Sequence, residues 1–343
     1  MDVLSGSIVT KDGIIEGYIL IEDRKIIDII EGDHRGPSLA NGLITTPLVN
    51  AHTHCADMGL RVRPGMGLKE LVAPPNGLKH VYLRNISDSA LESNIREYSA
   101  LSDENGIGTF IDFREGGVKG CRILRRAAPG STILGRPISN MYDPEEIDDI
   151  LDIADGIGLP SISDMDRSYI EDVADHVRKR NKIFAIHASE RVREDIDIIL
   201  SLDPSFIVHM VEATDSDMLK CAESEVPVVI CTRSNLYFGK TPPIKRMLDC
   251  GIDVSIGTDN AMLATPDIRA ETSVFWNILA SQGGSIEELE GIMFMNGQKL
   301  LYPHNKIPVS VGMAADLTVF PYEGAFGMRK VLENGEHIFR YRP

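Results

Sequence analysis

Between Ile44 and position 306 the chain repeats one pattern, a short apolar run followed by a segment of helical periodicity. The runs are "ITTPLVN", "GTFIDF", "TILGRPI", "GIGLP", "IFAIH", "FIVH", "PVVIC" and "DVSIG". Unbroken apolar runs of this length suit strands buried on both faces, and the helices between them supply the crossovers that parallel neighbours need. The helical segments mark their own ends. In "SDSALESNIREYSALSDENG", Leu91, Ile95, Tyr98 and Leu101 share one face, with Asn105-Gly106 as a stop. "DPEEIDDILDIADG" offers Asp143 as N-cap, Pro144 in the first turn and Gly156 as the stop. Strand then helix, about eight times, predicts an α/β fold, a (β/α)8 TIM barrel over residues 44–306. A doubly wound open sheet is the alternative, and no GxGxxG or Walker-type loop supports it.

The two ends of the chain have a different texture. "GSIVT", "GYILIE" and "KIIDIIEG" read as short strands separated by turns, and the tail from Ile307 returns to the same style. Residues 1–43 and 307–343 are therefore expected to form one small β-sandwich domain flanking the barrel. An apolar share of 43% supports a large core, while the net charge of −16 argues against nucleic acid or an anionic membrane as partner. Five scattered cysteines without a CxxC pair indicate neither a disulfide framework nor a thiolate zinc site. With no signal-peptide pattern and no apolar run of about 18 residues, the expected location is cytoplasmic.

Chemistry in a barrel of this kind sits at the C-terminal ends of the strands. His52 and His54 end or just follow the first run, His187 ends the fifth, His209 ends the sixth, and Asp259 follows the eighth. Singly, a histidine at a strand end is more often a hydrogen-bonded rim residue than a ligand, and an aspartate there is commonly a helix cap. Their placement on one common rim is what those ordinary readings do not explain. Imidazoles and a carboxylate suit Zn²⁺ or another borderline divalent ion, with room for a water whose pKa the metal lowers to about 7. Glu190, three residues beyond His187, is a candidate proton shuttle. Arg61, Arg63 and Lys69 after the first strand and Arg114 after the second are candidates to meet a carboxylate or phosphate on the substrate.

In order along the chain, "VNAHTH", "IHASE", "FIVH", "CTRSNLYFGKTPP" and "GIDVSIGTDNA" resemble the motifs of the amidohydrolase superfamily, in its metal-dependent deaminase and chlorohydrolase branch. That branch holds cytosine deaminase, S-adenosylhomocysteine deaminase, guanine deaminase and the triazine hydrolases. "GMAADLTVF" extends the likeness to the strand with which the C-terminal sandwich resumes. The resemblance implies His52, His54, His187 and Asp259 as ligands of a single metal. It implies His209 as the partner of the activated water or substrate, Glu190 as the shuttle and Asp259 as acceptor of the water proton. Asn235, in the segment that stands as Cys231-Thr232-Arg233-Ser234-Asn235 where the family has Cys-Pro-x-Ser-Asn, joins the substrate-binding candidates. Branches with two metals carry a lysine on the fourth strand; "GIGLPSISD" has none, and Lys182 sits at the wrong end of the fifth.

The expected function is hydrolytic deamination of an aminated heterocycle, a nucleobase, nucleoside or pterin-like small molecule, at one divalent metal ion. Zn²⁺ is the first choice, with Fe²⁺ and Mn²⁺ as the others. Two readings stand beside it: a cyclic-amide C–N hydrolase resembling imidazolonepropionase on the same site, and a metal-free binding protein on the same barrel. The resemblance also suggests a homo-oligomer.

Overall fold

The computed structural model describes residues 1–73, 76–139, 141–302, 308–322, 327–333 and 337–342. The chain opens with β1 (Asp2–Thr10), β2 (Gly13–Glu22), β3 (Lys25–Glu31) and β4 (Ala40–Thr45). There follow β5 (Leu48–His54), β6 (Ile107–Arg114), β7 (Thr132–Gly135), β8 (Gly156–Leu159), β9 (Ile183–Ala188), β10 (Phe206–His209), β11 (Val228–Ile230), β12 (Val254–Ile256) and β13 (Asp259–Asn260). β14 (Leu317–Pro321) and β15 (Phe339–Tyr341) come last.

Strands β5 to β13 form one nine-stranded sheet of parallel pairs in the order β12-β11-β10-β9-β8-β7-β6-β5-β13. Its two outermost strands, β12 and β13, are separated in the chain by Gly257 and Thr258 alone, so the sheet curls until its ends meet. Gly257 passes so close to β5 that an added Cβ would lie 2.8 Å from the backbone nitrogen of His52. Asn50 fastens the seam. Its Nδ2 donates to Thr258 Oγ1 at 2.7 Å, and Thr258 N donates back to Asn50 Oδ1 at 3.0 Å. Tyr98, from the helix Asp88–Glu104, meets Asn50, Thr53 and Thr258 through one hydroxyl.

Each apolar run of the repeat is a strand here, with one division. "ITTPLVN" splits, Ile44 and Thr45 belonging to β4 and the run from Leu48 to β5. The helix Pro144–Leu151 begins as expected, with Asp143 accepting from the amides of Glu145 and Glu146. It ends at Leu151, however, and Gly156 opens β8 instead of stopping the helix; a Cβ there would lie 2.0 Å from Ile183 O on β9.

Among the described residues the terminal segments form one sheet, ordered β15-β14-β4-β1-β2-β3, rather than the two layers of a sandwich. Alternation along β4 and β14 explains how one layer suffices. Leu43 and Phe320 join the core of the larger unit, while Ile44, Leu317 and Val319 turn to the other face. There they pack with Leu4, Ile8, Ile19, Ile21 and Ile26, and the segment carrying Val309 and Ala315 closes over them. "RKVLE" in the tail is helical, Met328–Glu333, because Met328 and Val331 three apart bury one face. The expected boundary at 306/307 lies outside the described residues. Among the described residues no helix is long and apolar enough to cross a membrane, and the five cysteines are free thiols.

Asn50→Ala is expected to lower stability by about 3 kcal/mol, since it orphans the buried Thr258 amide and the Tyr98 hydroxyl network. Guanidinium denaturation of the full chain checks this, with Val81→Ala, at an exposed helix position, shifting the midpoint far less.

Candidate metal centre

Strand alternation places His52 and His54 on the same side of β5, toward the interior of the curled sheet. His187 is the fifth residue of β9, His209 ends β10, and Asp259 opens β13. Their side chains converge. His52 Nε2 lies 3.3 Å from Asp259 Oδ1 and 3.3 Å from His187 Nε2, and His54 Nε2 lies 3.6 Å from Asp259 Oδ1. In the sets His52/His54/His187 and His52/His209/Asp259, one donor atom from each residue lies within 4.8 Å of the others. Phe113 of β6 packs edge-on against His52 and His187, with ring centroids 4.6 and 4.9 Å away. It forms the floor beneath them.

The neighbours fix which nitrogens face inward. His187 Nδ1 donates to Leu159 O at 2.9 Å and His54 Nδ1 to Phe113 O at 3.1 Å, so both rings turn Nε2 to the centre. Burial pushes His52 down to about 3 and His187 well below the usual imidazole range, so both imidazoles are neutral at pH 7. Asp259 is buried too, yet the hydrogen bond and charge of His52, with His209 and His54, hold its carboxylate well below the ordinary range. Ser234 Oγ donates to its second oxygen at 2.5 Å. Imidazole nitrogens that face one another across 3.3 Å, beside an ionised carboxylate in a buried space, make a donor set that fits a divalent cation. Left-handed backbone at His209 (φ 80°) and Asp259 (φ 56°) turns both side chains inward at an expense of about 1–3 kcal/mol each.

Glu190 and His209 approach from the open side, His209 Nε2 lying 3.7 Å from Glu190 Oε1. Burial raises the Glu190 carboxyl. Asn235 Nδ2 lies 3.2 Å from His209 Nδ1; with the amide so oriented, Nδ1 accepts and the imidazole proton sits on Nε2, toward Glu190. Asn235 is thus buried behind His209. Its helix, Thr232–Tyr237, is clamped by the fully buried Glu271, which accepts from Thr232 Oγ1, Arg233 N and Arg233 Nε.

A cavity of about 340 Å³ opens over the centre, and His54, His187, His209, Asp259 and Glu190 line its base. The basic candidates fare unequally. Lys69 lines the mouth and is exposed. Arg61 and Arg63 are exposed and stand apart from the lining; the carbonyl of Arg63 accepts from Tyr237 OH and Met66 N. Arg114 is buried and turned away from the cavity. With Phe113 facing inward, strand alternation sends Asp112 and Arg114 outward to Cys55 and the helix Gly117–Ala127, where a Cβ on Gly120 would lie 3.1 Å from Arg114 Nε. Glu115, next in the chain, lines the cavity instead.

Lys79, which the sequence alone does not single out, is 3% exposed and lines the cavity. Its Nζ lies 2.6 Å from Glu115 Oε1, and that oxygen lies 3.2 Å from His54 Nδ1. Burial works against the Glu115 carboxylate, but Lys79, His54 and Arg114 outweigh it and hold the group well below its ordinary range. The sequence signal is thin: a lysine between Leu78 and His80 in a short helix that buries little else.

The model of the amidohydrolase family matches residues 43–331, which span β5 to β14 and every donor named above. The chain belongs to the amidohydrolase family. It is an enzyme that hydrolyses carbon–nitrogen bonds, and the family's dependence on metal agrees with the donor set. Among the curated relatives of this amidohydrolase is an Archaeoglobus fulgidus protein named only provisionally as an aminohydrolase. The two are 33% identical over 273 residues, 79% of this chain and 78% of the relative. The fold is shared with the aminofutalosine deaminase of Helicobacter pylori, solved with methylthio-coformycin: TM-score 0.74, 15% identity, 98% of this chain and 97% of that one. It is shared also with the zinc-complexed atrazine chlorohydrolase of Arthrobacter aurescens: TM-score 0.71, 16% identity, 94% and 88%.

Metal analysis of the purified chain after Zn²⁺ loading is expected to give one ion per chain, and His52→Ala to remove stoichiometric binding. Ser234→Ala, which takes the partner from Asp259 Oδ2, should weaken Zn²⁺ about 10-fold in competition with a chromophoric chelator.

Proposed function

We propose that this amidohydrolase is a hydrolytic deaminase of an aminated heterocycle, working with one divalent ion, Zn²⁺ in the first instance, on His52, His54, His187 and Asp259. In this reading the curled sheet is a closed (β/α)8 barrel, β12 and β13 together counting as its eighth strand. Residues 44–306 form the catalytic unit, flanked by 1–43 and 307–343. The observation that carries the proposal is the approach of Glu190 and His209 to the same open side of the donor set, at the base of a cavity of small-molecule size.

A cation held on these donors would supply Lewis acidity, easing release of a proton from water near neutral pH. The chain's own groups divide the remaining work. Asp259 Oδ1 faces the centre and is ionised, so it accepts that proton while Ser234 keeps the other oxygen in place. Glu190 carries a proton to the ring nitrogen beside the amine-bearing carbon, so that the carbon accepts oxygen without building a full negative charge. Asp259 then passes the proton it took from water to the amine, which leaves as ammonia, and the hydroxyl proton of the adduct returns to Glu190 as the carbonyl forms. His209, its proton on Nε2, donates to the oxygen that develops charge, and Asn235 holds the ring for that purpose. The provisionally named aminohydrolase relative supports this reading over dechlorination.

The test is ammonia release by Zn²⁺-loaded protein from aminated purines, pyrimidines, pterins and their nucleosides. Activity is expected with at least one class, and Glu190→Gln is expected to lower kcat by about 10²-fold or more at unchanged metal content. Ring-opened product from cyclic amides, with no ammonia from any panel member, would overturn the proposal in favour of cyclic-amide hydrolysis.

A further inference from the structure

The donors of the metal centre come from β5, β9, β10 and β13, which leaves the β7–β8 side of the cavity free of them. That wall carries Arg136, directly after Gly135 at the end of β7, beside His80, Pro160 and Ser161. The cations around the cavity differ in what they already hold. Lys79 is committed to Glu115 at 2.6 Å. Arg191, more than half exposed, stands 3.7 Å from Asp164, and Lys69 is exposed at the mouth. His80 meets Val72 O at 3.0 Å, and burial lowers it to about 4, so it is neutral.

Arg136 is different. It is half-buried, and among the described residues its guanidinium makes no hydrogen bond or ion pair. In a chain with 51 acidic and 35 basic residues, carboxylate partners are plentiful. Arg125, Arg193, Arg233, Arg246 and Arg340 all have one, and Arg114, whose Nε and Nη1 lack a hydrogen-bond partner among the described residues, lies outside the cavity. An arginine presents a planar fork of donors and no acceptor, so burying it without an anion is unfavourable unless one arrives. Its backbone is already fixed: Arg136 N donates to Arg114 O at 2.8 Å, and Gly117 N donates to Arg136 O at 3.2 Å. The fork is thus mounted on a rigid strand end, within the same cavity as the centre.

We propose that Arg136 is the receptor for an oxyanion, a carboxylate or a phosphate, carried by the substrate on the side away from the reacting carbon. This rests on the deaminase reading and narrows its substrate class to aminated heterocycles with an anionic substituent. The fork binds such a group in a bidentate manner, and the substrate lies across the cavity from the metal centre toward β7.

Two matched pairs test it on the Zn²⁺-loaded full chain: adenosine 5′-monophosphate against adenosine, and pterin-6-carboxylate against pterin. The charged member of at least one pair is expected to be preferred by about 30-fold in kcat/KM, which corresponds to one charge-assisted bidentate contact. Which pair shows the preference separates phosphate from carboxylate. In Arg136→Gln the preference should fall to about threefold or less, and Arg136→Lys should restore part of it. A second readout needs no turnover: thermal stabilisation by inorganic phosphate and by acetate, with and without Zn²⁺, in wild type and Arg136→Gln. Stabilisation that the variant loses is expected. Preference for the neutral members, or an anion response that the variant retains, overturns the subsite while leaving the deaminase reading intact. An anion response lost in the variant, with no ammonia from any compound, upholds the subsite and overturns the deaminase reading.

Discussion

The hydrogen bonds that tie Asn50 to Thr258 join the first and last strands of the curled sheet, and the rim depends on that seam. His52 and His54 lie beyond Asn50 on one strand, and Asp259 directly follows Thr258 on the other. Asp259 pairs with Thr53, between the two histidines, and its carbonyl accepts from Thr53 Oγ1 at 3.1 Å. A slip of one residue in this register would send either the imidazoles or the carboxylate to the wrong face. Asn50 has no side-chain freedom to permit such a slip, since both ends of its amide are engaged in a fully buried setting.

Around this frame the charged groups are arranged so that few stand alone. Glu115 balances Lys79, Glu271 balances Arg233, and Asp217 balances Arg193. Asp57 shows the limit of the arrangement: Lys79 is 3.8 Å away, yet burial still raises its carboxyl to about 7. The Lys79–Glu115 pair and the backbone carbonyl of Phe113 meet at His54 Nδ1, so a helix after β5 and the end of β6 together set the orientation of one imidazole. Orientation by distant groups of this kind governs ligand basicity as much as the ligand's own identity does.

Much of this is legible in the chain itself, for a physical reason. Buried parallel strands must be apolar on both faces, so the runs announce them, and a charged or imidazole side chain at such a run's C-terminal end has few places to go but the rim. Arg114 breaks that rule because the apolar run "GTFIDF" stops at Phe113 and suggests a loop beyond it, whereas β6 continues and period two sends Arg114 outward. Lys79 and Arg136 lie beyond the reach of sequence. A buried lysine is defined by its partner, and Glu115 is far along the chain; an unpaired arginine is defined by the absence of one. The strand order of the terminal sheet escapes for a related reason, since strand partners are chosen by long-range register and local alternation does not report them.

The pairing of β4 with β14 bears on how the chain is made. β4 pairs with β1, which precedes it closely in the chain, yet its other neighbour, β14, follows only after the whole larger sheet. At synthesis rates of roughly 5–20 residues per second, the open edge of β4 waits on the order of tens of seconds for β14 to leave the ribosome. During that interval the nascent chain carries Leu43 and Ile44 on a strand with one side unpaired, the kind of edge that recruits other chains. A ribosome that stops short of β14 releases a chain in which β4 keeps one edge unpaired.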